Sequence, residues 1–254
     1  MKKFFALLMS LTMVLSLAAC GGEKAQENGL KTVQSGKLTM STNAQFPPYE
    51  MIDDAGGFIG IDVEVAAKIA EKLGLELVVD DMEFDAALLA AQNGKSDMVM
   101  AGVTVNEERL QVMDFTNSYA EGIQVVLVKK GSGVSLENLD QQLIGVQRGT
   151  TSNIYCVGDF GEDAVVAYDA AAVAVKALKN GQVDCVVLDN GPAQVFAEQD
   201  QELELLDTAY TQENYAIGLA KNNTALCEAI NQALVELQED GTVAAIVEKY
   251  IPSK

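Results

Sequence analysis

The alternation of strand and helix in this chain is clearest in the stretch NGKSDMVMAGVTVNEER, residues 93–109. An Asn-Gly turn leads into the apolar run Asp97–Ala101, which predicts a short buried strand. A small residue, Gly102, ends the run, and polar residues that favour the start of a helix follow it. The stretch therefore predicts a turn, a strand and a helix in immediate succession.

The helix that follows Gly102 carries the signals of an anion site. Thr104 with Glu107 three residues later forms a capping-box pattern, and Asn106 is a second candidate cap. Free N–H groups at a helix N-terminus attract anions, and Arg109 can give a carboxylate two parallel hydrogen bonds. The alternative is a surface arginine that pairs with a neighbouring carboxylate.

The stretch has a second copy further along the chain. NGKSDMVMAG at 93–102 matches NGQVDCVVLD at 180–189, and a predicted helix precedes each copy. Because ligands bind at the carboxyl ends of strands in open α/β sheets, Arg109 beyond one copy and Asp189 at the end of the other are candidates to face each other. Together they would neutralise both charges of an amino acid zwitterion. The alternative for Asp189 is a capping contact within its own turn.

The remaining apolar patterns predict an α/β protein. The predicted strands are Leu38–Thr42, Leu75–Val79, Asp97–Ala101, Val125–Lys129, Leu143–Val146, Asp184–Leu188 and Tyr215–Ala220. The predicted helices are Ile61–Leu73, Asp85–Gln92, Asn106–Val112, Ala170–Leu178, Pro192–Gln199, Thr224–Gln238 and Val243–Lys249.

Composition excludes several classes of function. The chain contains no histidine, which rules out catalysis by Ser-His-Asp or Cys-His groups and histidine metal sites. A net charge of −20 argues against nucleic acid as a partner. The segment Gly131-Ser132-Gly133 lacks the third glycine of a dinucleotide-binding loop. We expect a monomer with neither a metal nor an organic cofactor. For the cysteines, a Cys156–Cys185 disulfide and buried free thiols are both open.

The N-terminus has the features of a secretory signal. Two lysines precede an apolar segment, and Leu17-Ala18-Ala19 stands directly before Cys20. This arrangement resembles a bacterial lipobox, in which Cys20 is lipidated after residues 1–19 are removed; an ordinary cleavage site is the alternative. Residues 20–36 are rich in polar residues and glycine, which predicts a flexible tether to the membrane.

Several motifs together resemble one protein family. They are Phe46-Pro47-Pro48-Tyr49-Glu50, Gly60-Ile61-Asp62-Val63-Glu64, Asn93-Gly94-x-x-Asp97, Ala101-Gly102-x-Thr104-x-x-Glu107-x-Arg109, Asp114-Phe115-Thr116, Gly145-Val146-Gln147-Arg148-Gly149-Thr150-Thr151, Asn180-Gly181-x-x-Asp184, Leu188-Asp189 and Glu239-Asp240-Gly241-Thr242. In this order they resemble the extracellular amino-acid-binding proteins of bacterial ABC importers, in the branch for polar amino acids. The resemblance runs from about Lys37 to Tyr250 and implies the two-lobed periplasmic-binding fold of type II.

The resemblance implies a role for each matching residue. Arg109 would hold the α-carboxylate of an L-amino acid, with N–H groups at Thr104 and Thr151. Asp189 would take the α-ammonium group, with the Gly102 carbonyl and the Thr104 hydroxyl. The expected ligand-binding set is Asn43, Phe46, Phe84, Ala101, Gly102, Thr104, Arg109, Gln147, Thr150, Thr151 and Asp189. Phe84 as a plain core residue and the two threonines as turn hydroxyls are the alternatives.

Two positions depart from the family pattern. Asn43 stands where many members carry an acidic residue, and Gln147 stands where glutamine binders carry a basic one. Neutral amides favour a polar ligand side chain, whereas Glu50, Glu83 or Glu121 could serve a basic one. A dehydratase on the same fold, or a sensor module, is the alternative function.

The resemblance also implies lobes that close on the ligand and dock on a permease of an ABC importer. Lobe one is expected to comprise residues 37–129 and 212–254, and lobe two residues 130–211. The two connections, near Lys129–Lys130 and near Tyr210–Glu213, would form a hinge around the ligand cleft.

Overall fold

The computed structural model describes residues 29–207 and 209–252. The predicted signal peptide at 1–19 and Cys20 lie outside these residues. The described residues form twelve strands and eight α-helices. The strands are β1 Lys37–Thr42, β2 Gln45–Phe46, β3 Glu50–Ile52, β4 Phe58–Ile59, β5 Glu76–Asp81, β6 Met98–Val99, β7 Met113–Lys129, β8 Ile144–Gln147, β9 Val165–Tyr168, β10 Cys185–Asp189, β11 Leu203–Leu205 and β12 Thr211–Ala220. The helices are α1 Ile61–Lys72, α2 Phe84–Gln92, α3 Glu107–Val112, α4 Thr151–Phe160, α5 Ala171–Lys179, α6 Asn190–Gln199, α7 Thr224–Glu239 and α8 Thr242–Tyr250.

One mixed sheet runs through both halves of the molecule. Its strand order is β5-β1-β6-β12-β7-β10-β8-β9, and β11 pairs with β7. β1 is parallel to β5 and β6, while β8 is parallel to β9 and β10. The two parallel groups are joined through β12 and β7, which run antiparallel to each other. A separate small sheet, β2-β3-β4, was not predicted from the sequence.

Buried side chains form two cores on either side of the β12–β7 pair. The first core includes residues of β1, α1, β6, β12 and α7, and the second includes residues of β7, β8, β10 and α5. Along β7, Val125 and Leu127 pack on one side of the sheet and Val126 and Val128 on the other. Successive side chains of a strand point to opposite faces of the sheet. Because apolar side chains of β7 point to both faces, other parts of the chain must cover both faces.

The aspartate of the repeated motif has the same task in both copies. Asp97 accepts hydrogen bonds from the Thr39 N–H and hydroxyl at 2.7 Å each. Asp184 accepts one from the Leu143 N–H at 2.8 Å. In both cases the carboxylate ties the strand after the Asn-Gly turn to the neighbouring parallel segment. The repeat is therefore a repeat of structure as well as of sequence.

Strand β7 contributes to both cores. Tyr119 packs in the first core and Val125 in the second. Tyr215 of the partner strand packs in the first core, while Tyr210, just before that strand, lies against the second. The chain thus passes between the cores within 119–125 and within 210–215. The first passage lies inside β7, before the predicted connection near Lys129–Lys130, and nothing in the local sequence of β7 marks it.

The segment before β1 is bound to the first core. Leu30 packs against that core, and the Val33 N–H donates to Asp97 Oδ1 at 2.7 Å. The sequence predicts a flexible tether as far as residue 36, but residues 30 and 33 of this segment are already held against the folded part of the chain by packing and a hydrogen bond.

In the described part of the chain, no helix combines the length and the apolar character needed to cross a membrane. Cys156, Cys185 and Cys227 are free thiols, which leaves the Cys156–Cys185 disulfide unformed.

Candidate functional site

A cleft of about 530 Å³ is lined by residues from both sides of the strand pair β7 and β12. Its lining contains all the predicted ligand-binding residues, namely Asn43, Phe46, Phe84, Ala101, Gly102, Thr104, Arg109, Gln147, Thr150, Thr151 and Asp189. The lining also contains Glu50, Gln124, Ser152, Ala171, Val187, Leu188, Pro192 and Tyr215. The structure therefore brings together residues that are up to 172 positions apart, from Asn43 to Tyr215.

Arg109 is a buried cation at one side of this cleft. Its side chain is 6% exposed, so the surface alternative does not apply. The guanidinium donates to the Thr104 carbonyl at 2.8 Å and to the Gly149 carbonyl at 3.1 Å, and it lies 5.6 Å from the centre of the Phe84 ring. Burial lowers the pKa of Arg109 although Glu213 opposes this effect. Arginine remains charged under these conditions because its unperturbed pKa is so high.

The helix that carries Arg109 begins later than its capping-box pattern predicts. Asn106 is the N-cap of α3, and its side chain accepts from the Arg109 N–H at 2.8 Å. Thr104 instead forms an isolated bridge with Tyr215 of β12. The Asn106 cap occupies the backbone N–H of Arg109, and α3 has only six residues. The anion site at the start of this helix stays a prediction, and the cation that this segment brings to the cleft is the Arg109 guanidinium.

A longer helix, α4, offers its N-terminus to the same cleft. Thr150 is its N-cap, and the Thr150 hydroxyl donates to the Gln147 carbonyl at 2.7 Å, as the turn-hydroxyl alternative expects. Thr151 and Ser152 follow in the first turn, and both are buried against the cleft. N–H groups in a first helical turn have no partner within the helix and favour an anion.

Asp189 is a buried carboxylate on the other side of the crossing. It caps α6, accepting from the Gly191 N–H at 2.9 Å, so the capping alternative is correct for one carboxylate oxygen. The other oxygen accepts from the Tyr215 hydroxyl. Burial raises the pKa of Asp189 to about 6, even though both hydrogen bonds favour the ionised form.

Gly102 is held between an aromatic ring and a buried carboxylate. Its φ is +56°, and a Cβ at this position would lie 2.6 Å from Cε1 of Phe46, so the close approach of the ring requires glycine. Its N–H donates to Asp62 Oδ2 at 3.0 Å, which also accepts from the Tyr119 hydroxyl at 2.7 Å. The peptide between Ala101 and Gly102 is thereby fixed in orientation. Burial, together with the adjacent Asp62, raises the pKa of Glu50 well above its usual value.

The remaining wall of the cleft is neutral. The Gln147 side-chain amide donates to Asn43 Oδ1 at 3.1 Å, and Asn43 in turn donates to the Met82 carbonyl at 2.9 Å. Phe84 is 7% exposed and belongs to a cluster of buried apolar residues, so its assignment as a core residue is correct even though it also lines the cleft.

In the described residues, the acidic and cysteine side chains form no group of three or more that could hold a metal ion.

Sequence reasoning missed Gln124, Ser152 and Tyr215 as cleft residues. Gln124 falls in a stretch without a strand pattern. Ser152 directly follows Thr150 and Thr151, which belong to the expected ligand-binding set. Tyr215 was placed at the start of an apolar strand, where an aromatic residue usually packs in the core. A signal existed only for Ser152, which follows the N-cap Thr150 in the first turn of α4.

The family model of the bacterial extracellular solute-binding proteins, family 3, matches residues 38–253. The chain belongs to this family. Its relatives include an ABC transporter glutamine-binding protein, GlnH, of Bacillus subtilis (strain 168), 32% identical over 268 residues that cover 99% of this chain and 98% of the relative. A probable histidine-binding protein of Neisseria gonorrhoeae is 30% identical over 260 residues, 98% of this chain and 96% of that protein.

Solved structures of similar proteins share the fold. An ancestral arginine-binding protein bound to glutamine is 38% identical, with a TM-score of 0.81 and coverage of 87% of this chain and all of that one. The same kind of protein bound to arginine is 39% identical, with a TM-score of 0.79 and coverage of 85% and 98%. The predicted two-lobed α/β fold of type II is therefore confirmed. The prediction of a solute-binding protein is confirmed too, and neither the dehydratase nor the sensor alternative is favoured.

Proposed function

We propose that this protein captures one L-amino acid in its cleft and delivers it to an ABC importer. The observation that carries the proposal is the pair of buried opposite charges, Arg109 and Asp189, at 6% and 5% exposure in the lining of one cleft. A zwitterion offers each of them a partner, and two matched charges repay the cost of desolvation. Relatives of this chain are named as binding proteins for histidine, glutamine, arginine or cystine. These names point to the same class of ligand.

For the carboxylate, we assign the Arg109 guanidinium and the first turn of α4 at Thr151, whereas Thr150 caps this helix and its own N–H donates to the Gln147 carbonyl at 3.4 Å. A planar guanidinium and free N–H groups suit a carboxylate better than any other group in the cleft. For the ammonium group, we assign Asp189, the Gly102 carbonyl and the Thr104 hydroxyl. The hydrogen bond from the Gly102 N–H to Asp62 supports this assignment, since it holds the residue that carries this carbonyl at the cleft.

The ligand side chain is assigned to the wall formed by Asn43, Gln147, Phe46 and Phe84. Amide groups can both donate and accept, so we propose a neutral polar ligand, with L-glutamine as the first choice. The basic alternative has one supporting observation: the Phe84 ring already accepts a guanidinium, that of Arg109, at 5.6 Å.

We further propose that the two cores act as lobes that close around the ligand. In place of the boundaries 37–129 with 212–254 and 130–211, the packing of Tyr119 and Val125 favours a first crossing inside β7. Closure excludes water and strengthens both charge pairs. The closed form would then dock on the permease as a monomer.

The N-terminal sequence supports a lipid anchor. We propose that residues 1–19 are a signal peptide and that a lipidated Cys20 holds the protein on the extracytoplasmic face of the membrane, with residues 20–29 as the tether. A Cys20→Ala variant should be released from the membrane fraction while keeping its ligand affinity, as measured by immunoblotting of fractions and calorimetry.

A thermal-shift screen of the twenty amino acids tests the proposed function. A cognate ligand at 100 times its Kd stabilises the fold by about 2.7 kcal/mol, which gives a clear rise in Tm. Calorimetry on Arg109→Met should then show a loss in affinity of about 100-fold, because the ligand carboxylate is left without a charged partner. The matched control is Arg148→Met, at an exposed arginine that pairs with Asp169 at 3.3 Å. No binding of any amino acid, or equal effects of both variants, would contradict the proposal.

A further inference from the structure

Arg109 and Glu213 are two buried charges of opposite sign. Their residues are 6% and 5% exposed. Within the described part of the chain, none of the ion pairs includes either of them. A buried charge without compensation is costly, so each of these groups needs a charge of the other sign close by.

The hydrogen bonds of Arg109 leave its charge uncompensated. The guanidinium donates to the carbonyls of Thr104 and Gly149, which are neutral. The Thr104 segment, whose carbonyl Arg109 binds, pairs with β12 at Tyr215, and the Val105 N–H donates to the Asn214 carbonyl at 3.3 Å. Glu213 is the adjacent residue of β12 and, among the charged and phenolic groups near Arg109, favours its protonated form most. Glu108, the other carboxylate that acts on Arg109, is exposed, and solvent screens its charge.

Glu213 likewise has only neutral hydrogen-bonding groups beside it, the Gln124 amide and the Tyr155 hydroxyl. Its Oε2 accepts from the Gln124 amide at 2.8 Å, and its Oε1 is buried without a hydrogen-bond partner. Gln124 in turn accepts from the Ser152 hydroxyl at 2.5 Å, at the first turn of α4. Glu213 and Gln124 lie on the two strands that cross between the cores, close to the groups assigned to the ligand carboxylate.

We propose that Glu213 is the resident counter-ion of Arg109, which stabilises the buried guanidinium in the empty cleft and weakens its hold on the ligand carboxylate. The second half of this inference rests on the proposed role of Arg109 in carboxylate binding. Charges interact over several ångströms in a low-dielectric interior. The ligand carboxylate and Glu213 therefore share one cation and repel each other. A site of this kind captures its ligand and can still release it to the permease.

Thermal unfolding without ligand tests the charge pair itself. We expect Glu213→Gln to lower the Tm by about 3 °C or more, since Arg109 loses its counter-ion while Gln124 keeps an acceptor. In an Arg109→Met background the same change should raise the Tm or leave it unchanged, because Glu213 is then the uncompensated charge. Equal decreases in both backgrounds would overturn the proposal, whatever the protein binds.

Calorimetry tests the effect on affinity, with L-glutamine or with whichever amino acid gives the largest thermal shift. We expect Glu213→Gln to lower the Kd by about fivefold, which corresponds to about 1 kcal/mol. Structural damage would raise the Kd, so the sign separates the two explanations. Glu213→Asp and the exposed Glu108→Gln should both stay within about twofold of the parent protein.

The two proposals fail in different ways. An Arg109→Met variant that binds as tightly as the parent protein contradicts the carboxylate site. An unchanged or higher Kd for Glu213→Gln, in a protein whose binding depends on Arg109, contradicts the counter-ion alone.

Discussion

Asp189 both caps a helix and lines the cleft. One carboxylate oxygen caps α6, and the other accepts from Tyr215, which packs edge-on against Tyr49 at 5.4 Å between ring centres. These contacts fix the position of the carboxylate, but burial raises its pKa to about 6. The proposed ammonium site thus has a charge that is easily lost in mild acid.

Ligand affinity should fall as the pH is lowered through about 6. Protonation of Asp189 removes the negative charge that meets the ammonium group, so the Kd should rise by up to about tenfold per pH unit below this value. Calorimetry from pH 8 to pH 5 would measure the change. In Asp189→Asn the affinity should be low throughout and this part of the pH dependence should vanish. A parallel slope in both proteins would assign the titration to another group, such as Asp62, whose pKa burial also raises to about 6.

The same group acts on stability in the opposite direction. The pKa of Asp189 in the fold lies above its ordinary value of 3.8, so the folded protein binds more protons than the unfolded chain between about pH 4 and pH 6. Asp189 therefore adds stability to the ligand-free protein as the pH falls through this range. Urea unfolding of the parent protein and of Asp189→Asn, compared at both ends of the range, would detect the difference.

At the scale of elements, the crossing of β7 and β12 fixes the site. Glu213 and Gly122 are directly opposite each other in the pairing of the two strands. A Cβ on Gly122 would lie 2.2 Å from Cζ and Oη of Tyr215, so the absence of a side chain makes room for the tyrosine that bonds Asp189. The strand pair is therefore shaped around the Tyr215 ring.

A Gly122→Ala change should damage stability and binding together. Overpacking against a buried ring costs about 1–3 kcal/mol, and displacement of the Tyr215 hydroxyl from Asp189 should raise the Kd by about tenfold. Chemical denaturation and calorimetry would measure both effects. Gly158→Ala is the matched control, because no atom lies within 4 Å of a Cβ there and alanine favours a helix. Equal Kd values for the two variants would show that Tyr215 does not need this space.

The same crossing shows what the sequence could and could not predict. The repeat and the apolar runs predicted the parallel strands β1, β5, β6, β8 and β10, because a buried strand such as β10 is largely apolar, but they did not predict β9. Only Val125–Lys129 was predicted of β7, which begins at Met113, because residues 113–124 include Asn117 and Gly122 and look like a loop without their partner strand. Gln124 lies in that part, so its place in the cleft depends on long-range pairing that no local pattern contains.

On the scale of the whole molecule, the cleft has direct contacts between its two walls. The Gln147 amide donates to Asn43 beside β1, and Arg109 donates to the Gly149 carbonyl before α4. These hydrogen bonds connect elements of the first core to elements of the second. They therefore oppose separation of the two walls.

Removal of the amide contact should open the ligand-free protein. We expect the variant with both Asn43→Ala and Gln147→Ala to have a larger radius of gyration than the parent protein in small-angle X-ray scattering. Fewer contacts between the walls shift the population towards open forms. Gln182→Ala, at an exposed amide outside the cleft, is the control. An unchanged radius would show that other contacts hold the walls together.

The shared strand β7 has a consequence for the order in which the protein is completed. The first core takes Leu38 and Ile61 from the early chain but Tyr215, Ile230 and Ile246 from its end. The second core has all its residues between 123 and 210. During synthesis from the N-terminus, the residues of the second core are all made first. Residues 37–112 cannot complete the first core until the last helices have been made. A chain truncated before α7 keeps the wall that contains Asp189 and lacks a finished scaffold for Arg109.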